Sequence, residues 1–540
     1  MKRIKLLNLL FSFFISISIN LKLIIDNNLN YFIKHNIINF TFIMKIIGIT
    51  ILVYFILELL FYVLDKVPLK NKELNLNKKK IFIIFICIFI PSMIYLLSHY
   101  PGVYLNDTMF MIYSPILRGA PIIFSLFLAA SFHILSNFFG NFNAIFIMST
   151  TQVLIASIIL TYIVYWFNNK THNKILTILL ILYYVLTPIL ANYNVALNKD
   201  TPFALLILLF FTFICDIVES KGKLLSDKGI LILLVAISCL SICIRNNGLY
   251  IAIISILLLF IIYGIKNYKK ECSIVLILII LFSFLPVVLV NVLHAEKLKR
   301  EYYGVPIQQV CYLVKYHPDK LNKKDYNTLS KFIKDPKKTI PEKYDVYTVD
   351  SIKFQEEFDS DKFNKSSKEF LSLWIRKYPS NISSYTKSYL LNSYHLWSIN
   401  KLETGQSTFR AASMDGPQGE EVYNKQILPQ KIQDSLLKFY DKYNTYLNPA
   451  GCFILLLIIN LYAYYRKKKD IIIISIPLFV VWFILMLGSP QSGALRYMSP
   501  YLYILPIIGL YTFKITRKDD KHGLSRTSKT KLSKKRKRSV

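Results

Sequence analysis

Residues 78–107 read KKKIFIIFICIFIPSMIYLLSHYPGVYLND. Three lysines lead into an uncharged stretch, 81–98, which is followed by the turn pair Pro101-Gly102 and then by Asp107. At the helical rise per residue such a stretch reaches about 27 Å, close to the thickness of a hydrocarbon core. Comparable apolar runs recur at roughly 5–25, 41–64, 143–166, 174–192, 201–218, 229–244, 249–265, 272–293, 449–465, 471–488 and 498–515. In a chain of 540 residues that is 54% hydrophobic, about a dozen such runs cannot all be interior to a soluble protein. The expected fold is therefore an all-α polytopic membrane protein with about 12 transmembrane helices. The first run follows Met1-Lys2-Arg3 without a small-x-small cleavage pattern and reads as an uncleaved signal anchor.

The formal charge of +33 arises from 65 Lys and Arg against 32 Asp and Glu. In a soluble chain that excess would suggest a nucleic-acid partner. Here the cations collect in short loops between apolar runs, as the positive-inside rule requires, and no nucleic-acid partner is expected. Stretches 66–80, 170–174, 219–228, 266–270 and 466–470 are basic, so they and both termini are expected in the cytoplasm of a multi-pass cell-membrane protein. The basic tail, 516–540, is expected to lie against anionic lipid.

Residues 122–136 form a short apolar run containing Ser125, Ser131 and His133. As a crossing it would reverse the side of the later basic loops, so it is expected to lie in the interface or re-enter. The chain then divides into a transmembrane block, 1–293, with a non-cytoplasmic loop at 99–121; an extracytoplasmic region, 294–447, expected to be mainly helical; a second transmembrane block, 448–515; and the tail. Within the extracytoplasmic region, 327–335 and 365–377 have amphipathic helical character, and 400–426 reads as an exposed loop. The seven cysteines include no CxxC pair, so they outline neither a metal site nor a disulfide framework.

Four short motifs fall on the non-cytoplasmic side. Asp107 follows the Pro101-Gly102 turn, which holds it near the bilayer surface, where a carboxylate can act as a base or place a divalent metal. Lys199-Asp200-Thr201-Pro202 opens a helix: Asp200 or Thr201 suits a cap, while Lys199 and Asp200 together also suit the mouth of a polar cavity. Arg245-Asn246-Asn247-Gly248 is a tight turn between two apolar runs; an arginine at that depth either snorkels or faces a polar cavity. Arg496 and Tyr497, within the polar, small-residue break 488–500, offer a cation beside an aromatic ring. Arginine suits bidentate binding of phosphate.

The order of these motifs, with Pro306-Ile307-Gln308-Gln309 and Pro500, resembles the membrane glycosyltransferases of GT-C architecture. The likeness is to the protein O-mannosyltransferase and aminoarabinose-transferase branch, and more narrowly to a multi-pass family found in Gram-positive bacteria. It covers about residues 80–510. The resemblance implies a polyprenyl-phosphate-linked sugar donor and a protein or glycan acceptor on the outer face of a bacterial membrane. Carried over by position, Asp107 is the catalytic carboxylate, with Asp200 a possible second one. Lys199, Arg245, Asn246, Arg496 and Tyr497 are donor-phosphate candidates. The chain departs from the pattern in flanking Asp107 with Asn106 and Thr108 rather than a second acid, and in having Gly119-Ala120-Pro121 where relatives carry His-Pro. No cofactor is certain from this pattern, a divalent metal at Asp107 being the one candidate. The residues alone leave two other classes open: a transporter or flippase of lipid-linked or small polar substrates, and a non-catalytic envelope assembly protein.

Overall fold

The computed structural model describes residues 2–69, 72–116, 121–295, 298–400, 427–444, 447–488 and 494–536. The expected loop at 400–426 lies outside them from Lys401 on, as do the side chains of the basic tail beyond Arg517. The chain is almost entirely helical. In order come α1 (Lys2–Asn27), α2 (Phe40–Lys66), α3 (Lys78–Ser98), α4 (Asn106–Tyr113), α5 (Ile122–Phe139), α6 (Asn141–Thr171), α7 (Lys174–Leu186) and α8 (Pro188–Val195). They are followed by α9 (Asp200–Glu219), α10 (Lys228–Ile244), α11 (Asn247–Leu259) and α12 (Lys269–Val292). A two-residue strand β1 (Val103–Tyr104) pairs in parallel with β2 (Ala196–Leu197).

By length and composition, eight helices among the described residues can cross a membrane, or nine if the bent pair α7–α8 is one span. The protein is a polytopic helical membrane protein, but not twelve uniform spans. Pro188 breaks the expected span 174–192, and α8 turns 60° away from α7. The expected span 471–488 is interrupted at Ser475, just ahead of Pro477. The helices at 228–244, 449–465 and 476–488 are apolar but shorter than the rest. The run expected over 122–136 continues to Phe139 and is stopped by Gly140, whose φ of +80° favours glycine.

Helices α3 and α6 fix which loops share an end. At one end Lys72 and Leu74 accept hydrogen bonds from the Lys174 amide and the Asn168 side chain. At the other, the Tyr100 hydroxyl donates to Asn143 Oδ1 at 3.0 Å. Helix α5, expected to lie in the interface or re-enter, is by length and composition one of the eight that can cross, and its Phe124, Leu128 and Phe132 pack against Met109 and Ile112 of α4. The first end also gathers the Lys170–Asp216 and Lys221–Asp470 ion pairs and the contact of Gly222 with Tyr263. The basic stretches 66–80, 170–174, 219–228 and 466–470 thus meet at one end of the bundle.

The region after α12 forms a helical domain with its own core. Its main elements are α13 (Gly304–Tyr316), α14 (Lys323–Leu329), α15 (Asp350–Lys353), α16 (Ser360–Lys377) and α17 (Ile382–Asn392). Phe332 packs edge-on against Phe358, Phe363 and Phe370, and the end of α1 adds Leu21 and Ile25 to the same core. The domain is tied to α18 (Ile476–Gly488): Tyr389 donates to the Met486 carbonyl at 2.8 Å, and Trp482 to the Leu396 carbonyl at 3.1 Å. The last helix, α19 (Ser499–Arg536), buries Tyr501, Leu502, Tyr503, Ile504 and Ile508 in the main core of the bundle.

Inside the domain, Asp325 is fully buried between Arg376 and Lys377, each at 2.6 Å, and closes a capping box with Asn322. Burial works to raise the Asp325 carboxyl, but Lys377, the Asn322 amide and Arg376 outweigh it and hold the group below its ordinary range. A carboxylate depressed in the folded state stabilises the fold above its unfolded pKa, and that stability is lost as pH falls through the folded value. Asp325→Ala is expected to destabilise the domain by about 3 kcal/mol, because two cations lose their partner. Hydrogen exchange of residues 304–392 in the full chain measures this; the acid loss of protection below pH 4 should be blunted in the variant.

Candidate functional site

The site is built at the end of the bundle that carries the helical domain. After α3 the chain turns through a cis Tyr100–Pro101 bond and Gly102. A Cβ on Gly102 would stand 2.5 Å from Ser149 Oγ and 3.1 Å from Ile145 Cγ2, so only glycine lets this loop lie directly on α6. The loop then pairs with the segment after α8: Val103 lies opposite Ala196 and Tyr104 opposite Leu197. Gln152 of α6 locks the partner strand, its amide donating to the carbonyls of Asn194 and Ala196 at 2.8 Å each. Asn194 in turn accepts from Tyr503 at 2.9 Å and donates to Ser92 at 3.2 Å. The Thr108 hydroxyl donates to the Leu197 carbonyl. Two loops far apart in sequence are thereby held side by side, and Lys199 Nζ comes to 3.7 Å from Asp107 Oδ2.

The start of α9 differs from expectation. Neither Asp200 nor Thr201 caps it with a side chain. Asn198 does: its Oδ1 accepts from the amides of Asp200 (2.6 Å) and Thr201 (3.0 Å). Thr201 donates instead to the Tyr193 carbonyl at 2.6 Å. The Asp200 carboxylate is left for Arg245, whose Nη1 lies 2.5 Å from Oδ1. Asp200 is 1% exposed and Arg245 8%. Asp200 is thus the counter-charge of a buried arginine and not a second open carboxylate beside Asp107. The Arg245 guanidinium also lies 5.5 Å from the Phe203 ring and 5.3 Å from the Tyr497 ring, cation–π contacts that further commit it.

Arg496 completes the cluster. Its Nη1 is 3.5 Å from Asp107 Oδ2, its Nη2 donates to the Tyr497 hydroxyl at 3.0 Å, and its guanidinium carbon lies 4.9 Å from the Tyr497 ring. The structure therefore brings Asp107, Lys199, Arg496 and Tyr497 into direct contact, with the Arg245–Asp200 pair beneath them. Asn246 is exposed on its turn and makes no hydrogen bond to the cluster among the described residues. Pro306-Ile307-Gln308-Gln309 is spent inside the helical domain, where Gln308 donates to the Asp345 carbonyl and Gln309 bridges Tyr385 and Trp374. Residues 489–493 lie outside the described ones.

Electrostatics follow from this layering. Burial works to raise the Asp107 carboxyl, but Lys199, Arg496 and Arg245 more than offset it and hold the group below its ordinary range. Asp107 still has 45% of its side chain exposed, whereas Lys199 and Arg496 have 21% each, so the carboxylate faces the opening. Sequence reasoning missed Asp350. It stands on α15 of the helical domain, where Val349 packs near Gly304 and Gly304 near the Gly488 carbonyl. Burial pushes its carboxyl up, while Lys353, at 3.0 Å, and Arg496 across the domain boundary pull the other way. The Asp350–Lys353 spacing of three residues is the only trace of this in the sequence. A divalent metal does not fit the donor set at Asp107. Its charged neighbours are cations, Asp200 is bound to Arg245, and no three His, Cys, Asp or Glu side chains come together among the described residues.

The Arg245 turn depends on one glycine. A Cβ on Gly248 would fall 2.6 Å from the carbonyl carbon of Ser241 and 2.7 Å from its oxygen, and backbone atoms cannot move aside. Gly248→Ala is expected to push α11 off the end of α10 and pull Arg245 away from Asp200. Thermal unfolding of the detergent-purified protein should show a loss of stability of about 2 kcal/mol or more, whereas Asn246→Ala at the exposed neighbour should show almost none.

No curated protein and no solved structure matches this chain. A family profile does match, over residues 118–530. That stretch contains Lys199, Asp200, Arg245, Arg496 and Tyr497, and starts beyond Asp107. Because it takes in well over half of the 540 residues, the chain belongs to DUF6020, a family of unknown function.

Proposed function

We propose that the protein is a membrane glycosyltransferase of GT-C architecture. It takes a sugar from a polyprenyl-phosphate-linked donor and passes it to a protein or glycan acceptor of the cell envelope. The observation that carries this reading is the convergence of Lys199, Arg245 and Arg496, from three separate segments, on one partly open carboxylate, Asp107. The opposite, basic end of the bundle is cytoplasmic by the positive-inside rule, so this cluster and the helical domain above it are extracytoplasmic.

The chemistry asked of the residues is modest. An acceptor hydroxyl attacks the anomeric carbon from the side opposite the phosphate. The new carbon–oxygen bond forms as the bond to the phosphate oxygen breaks, with inversion. The hydroxyl proton passes to Asp107, and the departing phosphate is stabilised by Lys199 and Arg496, held in place over the Arg245–Asp200 pair. A phosphate leaving group needs charge stabilisation rather than a strong acid. A low-dielectric setting at the membrane edge strengthens each of these contacts.

The test is transfer of labelled sugar from polyprenyl-phosphate donors by the purified, reconstituted chain. Asp107→Asn is expected to reduce kcat by about 100-fold or more while leaving thermal stability unchanged. Lys199→Ala and Arg496→Ala are expected to raise the donor KM by about tenfold. kcat/KM should fall only as pH drops below the ordinary carboxylate range, because Asp107 in the free protein is held ionised by its cations and protonates late. Full transfer by the Asp107→Asn protein overturns the assignment.

A further inference from the structure

Asp107 is held by two cations, and neither fits it closely. Charge-assisted N–H···O bonds are usually short, about 2.7–2.9 Å. Yet Lys199 Nζ and Arg496 Nη1 stand 3.7 and 3.5 Å from the same oxygen, Oδ2. The Arg245–Asp200 pair directly beneath closes to 2.5 Å, so the looseness is specific to the upper layer. Arg245 and Asp200 neutralise one another. Two positive charges then face one carboxylate, an imbalance that favours a further anion or a better one. Among the described residues, nothing but these two cations holds the Asp107 carboxylate by an ion pair or hydrogen bond. It sits on the eight-residue helix α4 and is the most exposed member of the cluster.

We propose that Asp107 occupies the seat of a phosphate group between Lys199 and Arg496, and that an incoming phosphate displaces its carboxylate and takes both cations. This rests on the reading of Lys199 and Arg496 as phosphate ligands. A phosphate offers several strong acceptor oxygens and can meet an ammonium and a guanidinium together, which the Asp107 Oδ2 does not do at good distance here. Displacement also has a chemical consequence. With its cations engaged elsewhere, Asp107 loses the groups that weaken it as a base. The groups facing it from the surrounding elements are Lys199 ahead of α9, Arg245 between α10 and α11, and Arg496 ahead of α19, with Asp350 of the helical domain acting on Arg496. The base is therefore weak in the empty site and stronger once the phosphate is seated.

Binding of two probes by the full chain in nanodiscs, at fixed pH and salt, tests this: inorganic orthophosphate, and a polyprenyl monophosphate incorporated in the bilayer. Asp107→Asn is expected to bind phosphate about tenfold more tightly than the unaltered protein, because the competing charge is gone. Lys199→Ala and Arg496→Ala are expected to bind at least about tenfold more weakly. Asp107→Ser, a second neutral variant, should show the same tightening and covers the case in which the asparagine variant fails to fold. If both neutral variants bind as the unaltered protein does, or more weakly, the displacement is wrong. Tightening toward both probes, or toward the lipid alone, supports it. Tightening toward orthophosphate alone also supports the seat, and at the same time removes the polyprenyl-linked donor from the proposed function.

Discussion

A guanidinium at the end of an apolar helix is a costly thing to bury, and the arrangement of this end of the protein follows from how Arg245 is accommodated. Asp200 meets it at 2.5 Å, and Phe203 and Tyr497 flank it with their rings. Removing either charge alone would leave the other stranded, which costs far more than the pair itself contributes. The pair therefore works as a peg. It ties the α10–α11 turn to the start of α9. The Ser499 hydroxyl, which donates to the Asp200 carbonyl at 3.2 Å, ties the start of α19 to the same point. Lys199 immediately precedes the peg on α9, and Arg496 and Tyr497 immediately precede α19. Their positions follow from it.

The second constraint is polar and lies inside the bundle. The segment 188–201 runs through buried surroundings, where its peptide groups must be satisfied within the protein. Gln152 donates to the Asn194 and Ala196 carbonyls, Thr201 to the Tyr193 carbonyl, and Asn198 accepts from the Asp200 and Thr201 amides, while Tyr503 and Ser92 hold the Asn194 side chain. The bonds are individually modest but geometrically exact in what they fix: the height of β2, and through the two-residue ribbon the height of β1 and Asp107. A site assembled from four segments needs such a frame, since no single helix carries more than part of it.

Much of this was legible in the sequence. Asp107, Lys199, Arg245 and Arg496 each stand at the edge of an apolar run on the same end, and charge bias alone assigns that end. What could not be read was pairing. Asp200 looked like a helix cap or a second open carboxylate; that Asn198 caps instead, and Asp200 turns to Arg245, depends on a contact across 45 residues. Asp350 was invisible because its relation to Arg496 passes through the docking of a whole domain. The spans are uneven for a local reason that the sequence carries. Pro188, after Thr187, bends one apolar run, and Pro477 lies just past the break in another. Hydropathy reports how much apolar surface a segment carries, not whether its backbone stays straight.

Layering explains how one small volume can hold five charged groups. The lower pair is short, dry and internally neutral, so it can be rigid at little electrostatic cost to its surroundings. The upper group is long-bonded and partly open, so it can exchange partners. If both layers were tight, the cations would be spent; if both were loose, five charges at the membrane edge would not stay together. The division of labour also accounts for Tyr497, whose ring lies against both Arg245 and Arg496 while its hydroxyl accepts from the latter. It holds the upper arginine against the fixed one without supplying a charge that would compete for an anion. The phosphate seat proposed above needs both layers, a receptive surface of loosely held cations and a rigid neutral base, and each layer is recognisable by its distances.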